Sequence, residues 1–91
     1  MSEEGKMPEE EIGRVSGYFG KIGVAGIEIT QGTLSVGDTI RIKGHTTDLT
    51  QVVESIQIEH QNVPTAKAGD SIGIRVKDHV REHDKVYKVT E

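Results

Sequence analysis

The feature that most constrains this chain is a short glycine–acid turn used twice, each time opening directly onto alternating apolar residues. Gly32-Thr33-Leu34-Ser35-Val36-Gly37-Asp38 leads into Thr39-Ile40-Arg41-Ile42-Lys43, and Ala68-Gly69-Asp70 leads into Ser71-Ile72-Gly73-Ile74-Arg75-Val76-Lys77. Strict alternation places Ile40 and Ile42 on one face and Arg41 and Lys43 on the other, the pattern of a half-buried strand. Glycine supplies the backbone freedom that a tight turn before such a strand needs. Turns recurring at such short spacing leave no room for crossover helices, so the expected fold is all-β, a small closed barrel.

The rest of the chain follows the same pattern. Ile12 to Phe19 reads as a first strand, with Gly13, Val15, Gly17 and Phe19 on one face and Arg14, Ser16 and Tyr18 on the other. Gly20-Lys21-Ile22-Gly23 reads as a hairpin turn, and Val24 to Ile29 as the returning strand with Ala25, Ile27 and Ile29 inward. Leu49 to His60 reads as the longest strand region. Its apolar phase slips between Val53 and Ile56, which calls for a bulge at Glu54-Ser55 or a corner between sheets. Val63 to Lys67 holds Pro64 and is expected to be only a turn, and Lys85 to Val89 closes the fold. No internal repeat or linker is large enough to divide the chain.

Composition narrows the class. The 91 residues suit one domain near the small end of what folds by burying apolar surface, and the apolar set is mostly Ile and Val, with no Trp and Phe19 the single Phe. There are no cysteines, so neither a disulfide scaffold nor a thiolate metal site is available, and a reducing compartment is expected. The start, Met1-Ser2-Glu3-Glu4-Gly5, is acidic and lacks the apolar core of a secretory signal, and no run approaches membrane-spanning length. A cytoplasmic location without membrane contact is the expectation. The net charge of −4 is unevenly placed: residues 1–11 hold five Glu against Lys6, which gives −4, and residues 12–91 hold ten acids and ten bases. Residues 1–11 are therefore expected to be an acidic, disordered tail and residues 12–91 a single, electrically neutral barrel.

The order Gly17-Tyr18-Phe19, Gly20-x-x-Gly23-Val24-x-Gly26, Gly32-x-Leu34-x-Val36-Gly37-Asp38, Val53-Glu54-Ser55-Ile56 and Ala68-Gly69-Asp70-x-Ile72-Gly73 resembles the second domain of translational GTPases such as elongation factor Tu. It is similar also to small translation elongation factor-like proteins and to the barrel appended to collagenase-like peptidases. The resemblance covers about residues 12–89 and implies a Greek-key β-barrel of about six or seven strands. The phosphate-cradling loop of the GTPases is missing, so neither nucleotide binding nor GTP hydrolysis is expected. Ile27 stands where elongation factor Tu has a basic residue, Ser71 where it has Asn, and Asp78 where it has Gly. These departures point away from an aminoacyl end and leave a general RNA or ribosome contact.

The residues suited to such a contact are Arg41 and Lys43 with the loop His45, Thr46 and Thr47, whose cations, imidazole and hydroxyls match phosphate oxygens. Lys21 at the first hairpin tip, Lys77 with Arg81 near the C-terminus, and Tyr18 as an outward stacking platform complete the set. The alternative is a protein–protein adaptor docking on an enzyme such as a collagenase-like peptidase, and a third is self-association through a strand edge. His79 and His83 are four apart but lie in a polar connection between strands, so no metal site, and no cofactor, is expected. No nucleophile sits in an elbow-like motif, so no catalytic residue is assigned.

Overall fold

The computed structural model describes residues 9–90, which form ten strands and no helix: β1 (Glu9–Phe19), β2 (Val24–Ile29), β3 (Thr33–Ser35), β4 (Thr39–Lys43), β5 (Asp48–Val52), β6 (Ile56–Ile58), β7 (Gln61–Val63), β8 (Thr65–Lys67), β9 (Ser71–Arg75) and β10 (Lys85–Val89). One sheet runs β5-β4-β10-β1-β2-β9-β6-β7, and β3 and β8 form a separate ribbon. The neighbours in the run from β5 to β9 are all antiparallel, with β10 set between β4 and β1, so strands distant in sequence lie side by side in Greek-key fashion.

The two ends of that six-strand run meet at one side chain. Gln51 of β5 donates from Nε2 to the Arg75 carbonyl at 2.8 Å and accepts from the Lys77 N–H at Oε1, also at 2.8 Å. A primary amide carries one acceptor and two donors, so it stands in for a peptide unit where β5 and β9 are not paired through their backbones. Gln51 is only 6% exposed. The expected barrel of six or seven strands is thus a six-strand ring, to which the β6–β7 hairpin and the β3–β8 ribbon are added.

Inside the ring, β-branched side chains fill the pleats. Ile27, Ile40, Ile42, Ile56, Ile74 and Val86 are buried with Leu34 of β3 and Ala66 of β8, so the ribbon's two inward residues cap the core. Two sequence expectations change here, and of the bulge or corner offered for a third place the corner is found. The first strand begins at Glu9, which faces Val89, so Glu9–Glu11 of the expected tail belong to the barrel; the rest of that tail lies outside the described residues. Val63 to Lys67 is not a turn, because Thr65–Lys67 pairs with β3. The phase slip after Val53 is a corner: β5 ends at Val52, and Ile56 starts a different strand.

The outward placing of Tyr18 also fails. Register shifts between Glu11 and Gly13 and between Val15 and Gly17 insert an extra residue twice, so Ile12 and Val15 both face the core although three apart. Past the second bulge, Tyr18 packs partly buried against the core and Phe19 is 56% exposed.

Three turns share one geometry. The Asp38 N–H donates to the Ser35 carbonyl at 3.0 Å while Asp38 Oδ2 accepts from the Ser35 N–H at 2.8 Å, with Gly37 at φ +99° between them. Asp70 and Lys67 repeat this at 3.0 and 2.9 Å around Gly69 at φ +98°. Asp84 and Arg81 repeat it at 3.1 and 2.9 Å, but here His83, at φ +79°, takes the glycine's place. The first two turns lie in matching arches, 33–42 and 65–74, in which Thr33/Thr65, Gly37/Gly69, Asp38/Asp70, Ile40/Ile72 and Ile42/Ile74 coincide. Leu34 pairs with Ala66 at the centre of the ribbon, which relates the two arches by a local two-fold axis.

Candidate functional site

The β4–β5 hairpin brings Arg41, Lys43, His45, Thr46 and Thr47 onto one part of the surface. Arg41 is fully engaged there. Its Nε and Nη2 donate to the two carboxylate oxygens of Asp48 at 2.9 and 3.0 Å, and its Nη1 donates to Glu9 Oε2 at 3.0 Å. Hydrogen bonds to Asp48 first, then to Glu9, hold the guanidinium above its ordinary pKa, and the Arg41 hydrogen bond holds Asp48 below its own. Lys43, His45 and Thr46 are exposed, whereas Thr47 is buried and its carbonyl accepts from the Gly44 N–H at 2.8 Å.

Strand register extends this surface across the sheet. Asp48 faces Lys43, Lys43 faces Lys85, Lys85 faces Arg14, and Arg14 faces Glu28. Arg14 pairs with Glu28 at 3.1 Å, and Lys85 lies 4.0 Å from Glu11. Arg14, Arg41, Lys43 and Lys85 thus share the face with Glu9, Glu11, Glu28 and Asp48, four cations against four carboxylates. Such a face exerts little net pull on a polyanion.

The other expected contacts lie apart from it. Tyr18 packs its ring against His79, with centroids 4.5 Å apart and planes tilted by 53°. Lys21 is exposed in the turn whose Gly23 carbonyl accepts from the Val76 N–H at 3.0 Å, so Lys77 follows one residue after that contact. The side chains of Lys77 and Arg81 are exposed, while their backbone N–H groups are held by Gln51 and Asp84.

A different surface has the form of a binding site. An open groove of about 410 Å³ lies between Phe19, Ile22 and Val24 of the β1–β2 hairpin, Ser71 and Gly73 of β9, and Gln57, Glu59 and His60 of the β6–β7 hairpin. Phe19 and Ile22 are 56% and 64% exposed, the most exposed large apolar side chains among the described residues. Glu59 and His60 form a two-residue turn closed by Ile58 and Gln61, at φ +52° and +68°. That turn favours Asn-Gly, so two ordinary residues there carry backbone strain. Sequence reasoning missed this groove because its walls come from three separate hairpins and strands. One signal was present: Ile22 occupies the middle of a turn, where an apolar residue has no fold-making task.

Most of the barrel, from the end of the β1–β2 turn to β10, matches a known family. Residues 23–87 match the model of elongation factor Tu domain 2. The chain belongs to that family. It is 45% identical over 82 residues to an uncharacterized protease of Methanocaldococcus jannaschii, covering 89% of this chain and 20% of the protease. It is 45% identical over 78 residues to a collagenase of Porphyromonas gingivalis, covering 85% of this chain and 22% of the collagenase. The chain therefore spans about a fifth of the length of these curated relatives. Among solved structures, the C-terminal domain of a U32 peptidase from Geobacillus thermoleovorans superposes with a TM-score of 0.81 at 24% identity, covering 87% of this chain and 91% of that domain. The all-β barrel expected from the sequence is thus the fold found, and the matches include two of the groups that the motif order resembles, the elongation factor Tu second domain and the collagenase-like peptidases.

Proposed function

We propose that this chain is a non-catalytic docking module of the cytoplasm that binds a protein partner, a collagenase-type peptidase, through the groove beside the β1–β2 hairpin. The observation that carries this reading is the exposed pair Phe19 and Ile22 at the mouth of an apolar groove. Protein interfaces use such desolvated apolar anchors ringed by polar groups, and here Ser71, Gln57 and His60 supply the ring. The relatives named as a protease and a collagenase give the partner its class. Contact with RNA or a ribosome through Arg41 to Thr47 and Lys77 ranks second, because the cations of that hairpin share their face with as many carboxylates.

Binding to a purified collagenase-type peptidase of the source organism, measured calorimetrically at low and moderate salt, tests the reading. Phe19→Ser with Ile22→Ser is expected to weaken binding by about a hundredfold, since truncating two anchors costs roughly 1–2 kcal/mol each. Lys43→Ala should leave it unchanged. A tagged pull-down that recovers ribosomal components only without ribonuclease, with steep loss in salt, would replace this reading by the RNA one.

A further inference from the structure

Most of the eleven glycines answer a demand of the chain's own backbone. Gly23, Gly32, Gly37 and Gly69 have positive φ, and a Cβ on Gly13 or Gly44 would overlap the Glu28 carbonyl oxygen or the Asp84 carboxylate. Gly17 and Gly73 answer none. Neither has positive φ, and a Cβ there would meet only Phe19 Cζ at 3.9 Å and Val24 Cγ1 at 3.5 Å, ordinary contacts. Glycine inside a strand weakens it, so two unforced glycines call for another explanation.

Their placement supplies one. Gly17 faces Gly26, and Gly26 faces Gly73, in a straight row across β1, β2 and β9. Ala25, Ile27, Ile72 and Ile74 point into the core, so the row points out. At Gly26 a Cβ would press only on the Ser16 hydroxyl, at 3.1 Å. The row is a strip of backbone without Cβ atoms spanning about 10 Å across three strands, bordered by the Phe19 ring, the Val24 side chain and the Ser16 hydroxyl. Phe19 already leans toward one end of it, and the Gly73 end opens into the groove.

We propose that this glycine row is the floor of a slot that takes an aromatic side chain of the partner protein, with an adjacent basic residue meeting Glu59. The proposal deepens the docking reading above and rests on it. A flat floor free of Cβ atoms accepts a ring face-on, and Val24 and Ile22 supply apolar walls. Glu59 is the one carboxylate lining the groove, and it makes no ion pair among the described residues. A carboxylate in the lining, with no Lys or Arg beside it there, repels a phosphate backbone and attracts Lys or Arg. That charge selects a basic–aromatic peptide over a nucleic acid.

The test is an NMR titration of the ¹⁵N-labelled full chain with Ac-Phe-Arg-NH₂, Ac-Ala-Arg-NH₂, Ac-Phe-Gln-NH₂ and adenosine monophosphate. The first peptide is expected to shift the amides of Gly17, Gly26 and Gly73 by ring current and to bind about fivefold more tightly than the alanine peptide. Glu59→Gln should bring Phe-Arg down to the Phe-Gln level. Gly73→Val should abolish the response without lowering the unfolding midpoint. Equal affinity for the alanine peptide, shifts that bypass the glycine row, or unchanged binding by Gly73→Val each overturns the slot. Adenosine monophosphate moving those amides where the peptides do not overturns it too. If Gly73→Val does not fold, the peptide series on the parent chain and Glu59→Gln decide the question alone. Intact peptidase binding with a silent peptide series would sink the slot and spare the docking reading, and the converse would do the reverse.

Discussion

Replacing Gln51 by alanine removes the one side chain that joins β5 to β9. The substitution orphans the Arg75 carbonyl and the Lys77 N–H together, each now bonded at 2.8 Å. An unsatisfied buried group costs about 1–3 kcal/mol, and the exposure of Arg75 and Lys77 keeps each loss near the lower end, for a total of about 2–4 kcal/mol. A domain of this size loses about 4–8 °C of unfolding midpoint per kcal/mol, so a fall of roughly 10–30 °C is expected by circular dichroism. Gln57→Ala is the control, because Gln57 is exposed and bonds only the Asn62 side chain at 3.3 Å; it should stay within about 0.5 kcal/mol of the parent. Gln51→Glu keeps the acceptor for Lys77 but sets a carboxylate oxygen against the Arg75 carbonyl, so it should be less damaging at low pH, where the acid can donate. A Gln51→Ala chain within 0.5 kcal/mol of the parent would refute the claim that this amide joins the ring.

His83→Gly should raise stability by up to about 1 kcal/mol in urea unfolding, because it relieves a left-handed residue in a turn whose two counterparts already use glycine. The glycines should divide sharply in thermal melts: Gly44→Ala, which drives a methyl into the buried Asp84 carboxylate, should cost about 3 kcal/mol or more, whereas Gly73→Ala should be neutral or stabilising by about 0.5 kcal/mol. The Arg41–Asp48 pair depresses the Asp48 pKa, so its contribution is full above the ordinary value of 3.8 and is lost as pH falls through the lower folded value. The stability gap between the parent and Arg41→Ala should therefore narrow on acidification below that value, and a gap independent of pH would discount the ion pair.

The barrel was legible because local signals agree with the global fold. Ile40/Ile42 and Ile72/Ile74 alternate, and Gly37-Asp38 and Gly69-Asp70 mark their turns. What escaped notice did so for particular reasons. A bulge leaves no mark on composition, so the displaced phase of β1 misplaced Tyr18 and Phe19. The third turn was hidden because His83 stands where glycine announces the other two. The value of Arg41 as a contact depends on Glu9, thirty-two residues away in sequence, in a stretch whose composition reads as a tail. The groove depended on walls drawn from two hairpins and β9, and the glycine row beside it on cross-strand register, neither of which any window along the chain displays.

The place of β10 governs the order of assembly. Lys85–Val89 pairs with β4 on one side and β1 on the other, so the barrel's last strand in chain order fills the gap between its first and its fourth. Until it emerges, a nascent chain carries two open edges, and its hairpins have no enclosed interior to bury. Closure therefore waits for translation to pass Val89, and a chain stalled before that point exposes just the unpaired edges that chaperones and stray strands recognise.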